Sequence, residues 1–376
     1  MYATFQFYPT ALKHCAPLLL LHPRSRPDDP VKNKISLLTH PGLLRKLRIV
    51  LGNLCPSLTF AVTMGVDLLI QLGIFVGSIF ALLWASDKFV EAAERIGLSL
   101  GISPFIIGVT IVAFGTSLPE LATSIVAVLD GTPEIVVGNV VGSNITNIAL
   151  VLGLTAVVVK NIDLEYNIWH IDIPFLWGSA FLLYFAVFDG SLSIYEAILF
   201  LGGIAIFLSY SLKDEDRPDK EDRPRASWKD YALLIGAGAI VSFSANWVIG
   251  AITEISTILN IAPAVIALSA VAIGTSLPEV AVSLAAARKG KASIAVGNAL
   301  GSNVFNTFIV MAIPRFFGPL VIPAEIISTY LPLMIVMTIL LGVMSNNRKI
   351  TRWEGLVLLL FYLWYFGVIV EQAAGS

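Results

Sequence analysis

Long apolar runs, separated by short polar breaks, organise this chain. A helix rises about 1.5 Å per residue, so a run of about 20 apolar residues crosses the hydrocarbon of a bilayer. The pattern predicts ten such spans, at roughly residues 66–86, 104–128, 134–159, 168–187, 193–211, 231–252, 262–287, 293–314, 319–343 and 354–371. One long polar break, KDEDRPDKEDRPRASWKD (213–230), follows the fifth span. Its dense mixed charge and two Arg-Pro dipeptides predict a solvated linker. Residues 1–63 form a Pro-rich, irregular arm with no convincing span or signal peptide.

Composition supports the pattern. Only 13% of the 376 residues are charged and 56% are hydrophobic, with a mean hydropathy of +0.83. Soluble domains carry about a quarter charged residues, so the chain reads as an all-α polytopic membrane protein. A net charge of −2 gives no reason to expect nucleic acid. Both cysteines, Cys15 and Cys55, lie in the arm, and none of His14, His22, His40 and His170 falls mid-span. The spans therefore offer no thiolate metal site, no disulfide framework and no cysteine nucleophile.

The chain repeats itself. Residues 103–147 align without a gap on 262–306, with 22 identities in 45 positions. GTSLPE (115–120) falls on GTSLPE (274–279), and GNVVGSNITN (138–147) on GNALGSNVFN (297–306). Five spans, an odd number, separate the copies, so equivalent helices must cross the membrane in opposite directions. The expectation is two inverted five-helix repeats, 64–211 and 231–376, joined by a charged cytoplasmic loop at 212–230; many secondary transporters share that plan. Lys and Arg set the orientation. The loops after odd-numbered spans hold 15 basic residues and those after even-numbered spans hold only Arg315. The odd loops are therefore expected to be cytoplasmic, with both ends of the ten-helix core outside. The arm's eight basic residues fit that scheme badly. Either translation begins at Met64, just before the first span, or the arm is a targeting segment.

GTSLPE places a proline and a carboxylate at membrane depth, twice. Proline lacks an N–H and clashes with the carbonyl four residues earlier, so Pro119 frees the carbonyl of Gly115 and Pro278 that of Gly274. Such irregular backbone is tolerated at depth only where protein or a watery cavity satisfies it. The second and seventh helices are thus expected to be broken. Thr116, Ser117 and Glu120 share one turn, as do Thr275, Ser276 and Glu279. Ser143 and Asn147, like Ser302 and Asn306, are four residues apart on one helix face. All are hard oxygens, and Ca²⁺ takes about 6–8 of them from carboxylates, carbonyls and waters. Glu120 and Glu279 are the only acidic residues deep within spans. A mid-bilayer charge costs at least about 2.5–3.5 kcal/mol on insertion scales, which makes it functional by default. Gly138, Gly142, Gly297 and Gly301 form GxxxG patterns suited to close helix packing.

GTSLPE followed by GNxxGSNxxN, in two copies at fixed register, resembles the sodium/calcium exchanger family of the cation/calcium antiporters, its short prokaryotic members most closely. The resemblance covers about residues 64–376. It implies broken second and seventh helices meeting the third and eighth. It also implies ion ligands at Glu120, Thr116, Ser117 and the Ala113 carbonyl, and at Glu279, Thr275, Ser276 and the Ala272 carbonyl. Ser143, Asn147, Ser302 and Asn306 complete that set. Some members, potassium-dependent exchangers among them, carry Asp where this chain has Asn306, which argues against potassium co-transport. The implied activity is exchange of Ca²⁺ for Na⁺ by alternating access, with these ions and the lipid bilayer as partners, no cofactor and no obligate protein partner. Proton/calcium exchange is the alternative, followed by a passive cation channel. An intramembrane enzyme is disfavoured by the absence of an H-E-x-x-H pair and of a base near the serines.

Overall fold

The computed structural model describes residues 56–164, 168–169, 172–211, 223–259 and 274–375. Cys15, Cys55, His170, Ala272, most of the arm and the first half of the seventh span lie outside these residues. The chain divides into two compact units, Met1–Gly73 and Ile74–Ser376. The first is described only for residues 56–73, a length of helix.

The apolar runs fold as helices, in chain order α1 (Pro56–Ser99), α2 (Pro104–Leu129), α3 (Glu134–Val159), α4 (Asp172–Ala186), α5 (Ile194–Ser211), α6 (Trp228–Ile258), α7 (Leu277–Arg288), α8 (Ala292–Arg315), α9 (Ile326–Ser345) and α10 (Arg352–Glu371). Among the described residues, eight helices are long and apolar enough to cross a membrane. Helix α1 begins upstream of the expected first span. Helix α4 has 15 residues, shorter than its apolar run, because residues 168–169 form a turn ahead of it. Helix α6 begins at Trp228 rather than 231. There Ser227 and Asp230 close a capping box, the Ser227 N–H donating to Asp230 Oδ2 at 2.7 Å, which satisfies amides that the first turn leaves without partners. The expected start of the ninth span at 319 is too early. Leu320 and Val321 pair as a strand, and the helix is launched from Pro323, whose carbonyl accepts the Ile326 N–H.

Four short strands close two antiparallel ribbons. β1 (Asn161–Asp163) pairs with β4 (Lys349–Thr351), and β2 (Ser191–Leu192) with β3 (Leu320–Val321). Shifting β1 by the repeat offset lands on β3, and shifting β2 lands on β4, so the two ribbons are copies of one arrangement. β1–β4 joins the stretches after α3 and α9. β2–β3 joins those after α4 and α8. The ion pairs Lys289–Asp87 (3.6 Å) and Lys291–Glu94 likewise join α1 to the stretch after α7, and Arg95–Asp230 (3.5 Å) joins α1 to the start of α6.

Helices α3 and α8 lie innermost. Their most apolar windows are 78% and 94% buried, against 17–56% for the other membrane-length helices. Large apolar side chains such as Phe80, Trp84, Ile235, Phe243, Leu360 and Leu363 are exposed on α1, α6 and α10, as a lipid-facing belt requires. The glycines of α8 permit its central position. A Cβ on Gly297 would stand 2.3 Å from the Phe105 carbonyl oxygen, and one on Gly301 2.3 Å from that of Val109. Backbone approaches backbone there, the close contact that small-xxx-small patterns provide.

Gly297→Val should therefore destabilise the protein. Overpacking a tight core costs about 1–3 kcal/mol, and here the obstacle is main chain. The measurement is thermal unfolding of the purified protein, with a drop of several degrees in melting temperature expected and an unchanged value contradicting the packing.

Candidate functional site: a buried, paired oxygen cluster

In both GTSLPE copies the backbone leaves helical geometry at the same serine and in the same way. Ser117 adopts φ −87°, ψ 1° and Ser276 φ −88°, ψ 2°. In each case the chain re-enters a helix at the next residue, with proline in its first turn. The backbone at each break is bridged alike: the Leu121 N–H donates to the Ser117 carbonyl at 3.2 Å, and the Val280 N–H to the Ser276 carbonyl at 3.1 Å. The expected break of the second helix is thus present, and the first half of the seventh lies outside the described residues. Each copy begins a helical segment that carries its glutamate, Glu120 or Glu279.

The third and eighth helices hold a second irregularity that periodicity does not reveal. A wide, π-type stretch starts at Asn147 and runs to Leu152; another starts at Asn306 and runs to Val310. Such bulges shift the side chains that follow them and often mark functional positions. Here each begins at the last asparagine of GNxxGSNxxN.

The structure brings several of the expected side chains of the two repeats together; the side chains of Ser276 and Asn306 are buried but have no hydrogen-bond partner among the described residues. Thr116 Oγ1 lies 3.5 Å from Ser302 Oγ, and Thr275 Oγ1 lies 3.3 Å from Ser143 Oγ. The Asn147 amide donates to Asn303 Oδ1 at 3.0 Å. Glu120 and Glu279 are both 0% exposed and interact electrostatically with each other. The Thr116 and Ser117 hydroxyls face Glu279. Ala113 is buried, and its carbonyl accepts the Ser117 N–H at 3.0 Å; a carbonyl has a second lone pair to offer. The counterpart, Ala272, is outside the described residues.

Sequence reasoning passed over four asparagines. Asn139 contacts Thr275, and Asn298 contacts Thr116, each at 3.2 Å. Asn144 and Asn303 form a reciprocal pair, each side-chain amide donating to the other's backbone carbonyl, at 3.4 and 3.1 Å. The signal was available: all four belong to GNxxGSNxxN, and Asn139, Ser143 and Asn147 continue a single i, i+4 face.

Many oxygens of the cluster have no hydrogen-bond partner among the described residues. Among the described residues, both carboxylate oxygens of Glu120 and of Glu279, the hydroxyls of Ser117 and Ser276, Asn147 Oδ1 and both polar atoms of Asn306 are buried without a hydrogen-bond partner. Native structures leave few such groups, and a buried carboxylate without a partner is far costlier than a hydroxyl. Were both carboxyl groups ionised, their repulsion would make the demand for a cation larger still. Among the described residues there is no group of three or more His, Cys, Asp or Glu suited to a metal. The donors are two carboxylates with neutral hydroxyl, amide and carbonyl oxygens, a set suited to hard cations rather than to zinc or copper. A cavity of about 310 Å³, lined by Pro119, Thr123, Asn246, Thr275 and Pro278 among others, reaches the cluster at Thr275. Thr275 is half-buried, whereas Thr116 is 2% exposed.

Fold and cluster together define the class: a multi-span membrane protein with a repeated proline-containing motif and buried carboxyl, hydroxyl and amide groups inside it. The profile of the sodium/calcium exchanger protein family matches residues 70–213 and 229–370. The sodium/calcium exchanger MaX1 of Methanosarcina acetivorans is 33% identical over 341 residues, covering 79% of this chain and 97% of that protein. The membrane protein MJ0091 of Methanocaldococcus jannaschii is 34% identical over 303 residues, covering 79% and 97%. A structure of the sodium-calcium exchanger NCX_Mj superposes with a TM-score of 0.69 at 31% identity, covering 80% of this chain and 99% of that one. This chain belongs to the sodium/calcium exchanger family, whose members are cation/calcium exchangers rather than enzymes.

A cluster with unsatisfied carboxylates is stabilised by the cation that fills it. Ligand at 100 times its Kd adds about 2.7 kcal/mol to the stability of the folded state. Adding Ca²⁺ to the chelated protein should raise the melting temperature, and the rise should vanish in a Glu120→Gln/Glu279→Gln double variant. Equal rises in both proteins would place cation binding elsewhere.

Proposed function

We propose that this chain exchanges Ca²⁺ for Na⁺ across a membrane by alternating access. The observation that carries the reading is the pair of wholly buried, unpartnered carboxylates, Glu120 and Glu279, brought together from two copies of one broken-helix motif. The proposed ion ligands are those carboxylates, the hydroxyls of Thr116, Ser117, Thr275, Ser276, Ser143 and Ser302, the side-chain oxygens of Asn147 and Asn306, and the carbonyls of Ala113 and Ala272. Relatives named as sodium/calcium exchangers and the NCX_Mj structures support the choice of ions.

The proposed topology is ten spans in two inverted halves, 64–211 and 231–376, with odd-numbered loops cytoplasmic and both core ends outside. A two-stranded ribbon has to lie on one side of a bilayer. β1–β4 joins odd loops only and β2–β3 even loops only, and the ion pairs around Arg95, Lys289 and Lys291 also stay on the odd side. This parity supports the plan, as does the exchange of one ribbon for the other under the repeat. In the cycle, Ca²⁺ and Na⁺ compete for overlapping oxygens around Glu120 and Glu279. The contrast between half-buried Thr275 and sealed Thr116 supports a site reached from one side at a time. Energy comes from the sodium gradient; the chain has no GxxxxGK[ST] phosphate loop.

Proton/calcium exchange is the second reading, because two buried carboxylates can carry protons as readily as cations. Purified protein in proteoliposomes separates the two. An outward sodium gradient should drive ⁴⁵Ca²⁺ uptake, and a proton gradient without sodium should not. The reverse result would establish proton coupling. Uptake that needs no counter-ion would make the protein a channel. Glu120→Gln and Glu279→Gln should each abolish exchange while leaving the protein folded, and wild-type flux in either variant would refute the ligand assignment. Asn306→Asp adds a third carboxylate beside the other two and should change the dependence of flux on pH or on K⁺. A profile identical to wild type would place Asn306 outside the coordination shell.

A further inference from the structure

We infer that Asn139 and Asn298 are positioning residues, which aim the hydroxyl protons of Thr275 and Thr116 away from the ion. The inference rests on the proposed ion site and adds to it two residues outside the ligand set.

A hydroxyl binds a cation through its lone pairs, so its proton has to point elsewhere. In a sealed cluster the direction is set by whichever acceptor stands behind the hydroxyl. The Asn139 side-chain Nδ2 lies 3.2 Å from the backbone carbonyl oxygen of Glu120 and 3.1 Å from Ser124 Oγ. A carbonyl cannot donate, so the amino half of the amide must face Glu120, which fixes the amide's orientation on chemical grounds. Its oxygen then faces Thr275, with Oγ1 donating to Oδ1 at 3.2 Å. An amide oxygen only accepts, so the Thr275 proton is committed to it. Ser143 Oγ lies 3.3 Å from Thr275 Oγ1, and with that proton committed Ser143 is the donor. The protons run in one direction, Ser143 to Thr275 to Asn139, and leave lone pairs on both hydroxyls for the ion.

The other repeat is built alike. Asn298 Nδ2 donates to Ser283 Oγ at 2.9 Å, and Thr116 Oγ1 donates to Asn298 Oδ1 at 3.2 Å with Ser302 Oγ at 3.5 Å. Here the threonine has two rival acceptors, the Glu279 carboxylate that its hydroxyl faces and the Ala113 carbonyl at 3.4 Å. Asn298 draws the proton away from both and keeps a lone pair of that carbonyl open. Asn139, Asn298, Ser124 and Ser283 are all at most 7% exposed, so bulk water does not stand in for the amide. The same amides also bolt α2 to α3 and α7 to α8, and the test has to separate aiming from bolting.

A double-mutant cycle on the full-length purified protein does so, read as equilibrium ⁴⁵Ca²⁺ binding with melting temperature measured alongside. Asn298→Leu and Thr116→Val should each weaken Ca²⁺ binding about tenfold. The double variant should be within about twofold of Thr116→Val, since without a hydroxyl there is no proton to aim. Losses that multiply, or an Asn298→Leu variant with lowered melting temperature and wild-type affinity, would reduce the asparagine to a structural bolt and overturn the inference. Wild-type affinity in Thr116→Val would instead overturn the ion site, and the inference with it. The mirrored cycle of Asn139→Leu with Thr275→Val carries the same two outcomes should Asn298→Leu fail to fold.

Discussion

Two carboxyl groups, Glu120 and Glu279, sealed inside the helices without a hydrogen-bond partner among the described residues, are the constraint on which this structure turns. Water is not available to solvate them, and among the described residues no Lys or Arg pairs with them. The surrounding groups are instead lone-pair donors: hydroxyls, amide oxygens and carbonyls exposed by broken helices. Each of these features would be a liability alone. A proline in a buried helix removes a hydrogen bond, and a wide turn disturbs packing. Brought together from the two repeats, they give a cluster of oxygens that the proposed cation would satisfy.

The repeat supplies half of that cage twice. Thr116 meets Asn298 and Ser302, and Thr275 meets Asn139 and Ser143; Asn144 and Asn303 clasp each other across the centre. The symmetry is not complete. Asn147 donates to Asn303, whereas Asn306, its counterpart, leaves both polar atoms without a described partner. Thr116 is sealed and Thr275 opens to a cavity. Two halves that are alike in sequence and unlike in exposure fit the proposed alternating access.

The sequence made much of this legible. Ten apolar runs, an ungapped internal alignment and paired GTSLPE motifs pointed to the helices, the breaks and the two glutamates, because proline chemistry and membrane burial are strong local rules. Element ends were read less well. Leu320 and Val321 counted as part of a span, although they pair with Ser191 and Leu192; hydropathy cannot tell a buried strand from the start of a helix. The first turn of α6 was missed because its cap, Ser227 with Asp230, sits inside a charged stretch that reads as linker. Asn139 and Asn298 escaped notice for a different reason. Their part is played through a neighbour's proton, and such a role appears only once the threonine across the interface has been placed. The wide turns at Asn147 and Asn306 carry no composition signal of their own.

The central claim is that one cation sits between Glu120 and Glu279. Crystals of the protein soaked in Sr²⁺, an anomalous scatterer that replaces Ca²⁺, test it directly. The account expects one strong anomalous peak between the two carboxylates, at oxygen distances near the roughly 2.3–2.6 Å of calcium sites, and its loss on exchange into high Na⁺. A peak bound elsewhere, with both carboxylates free of metal, would contradict it.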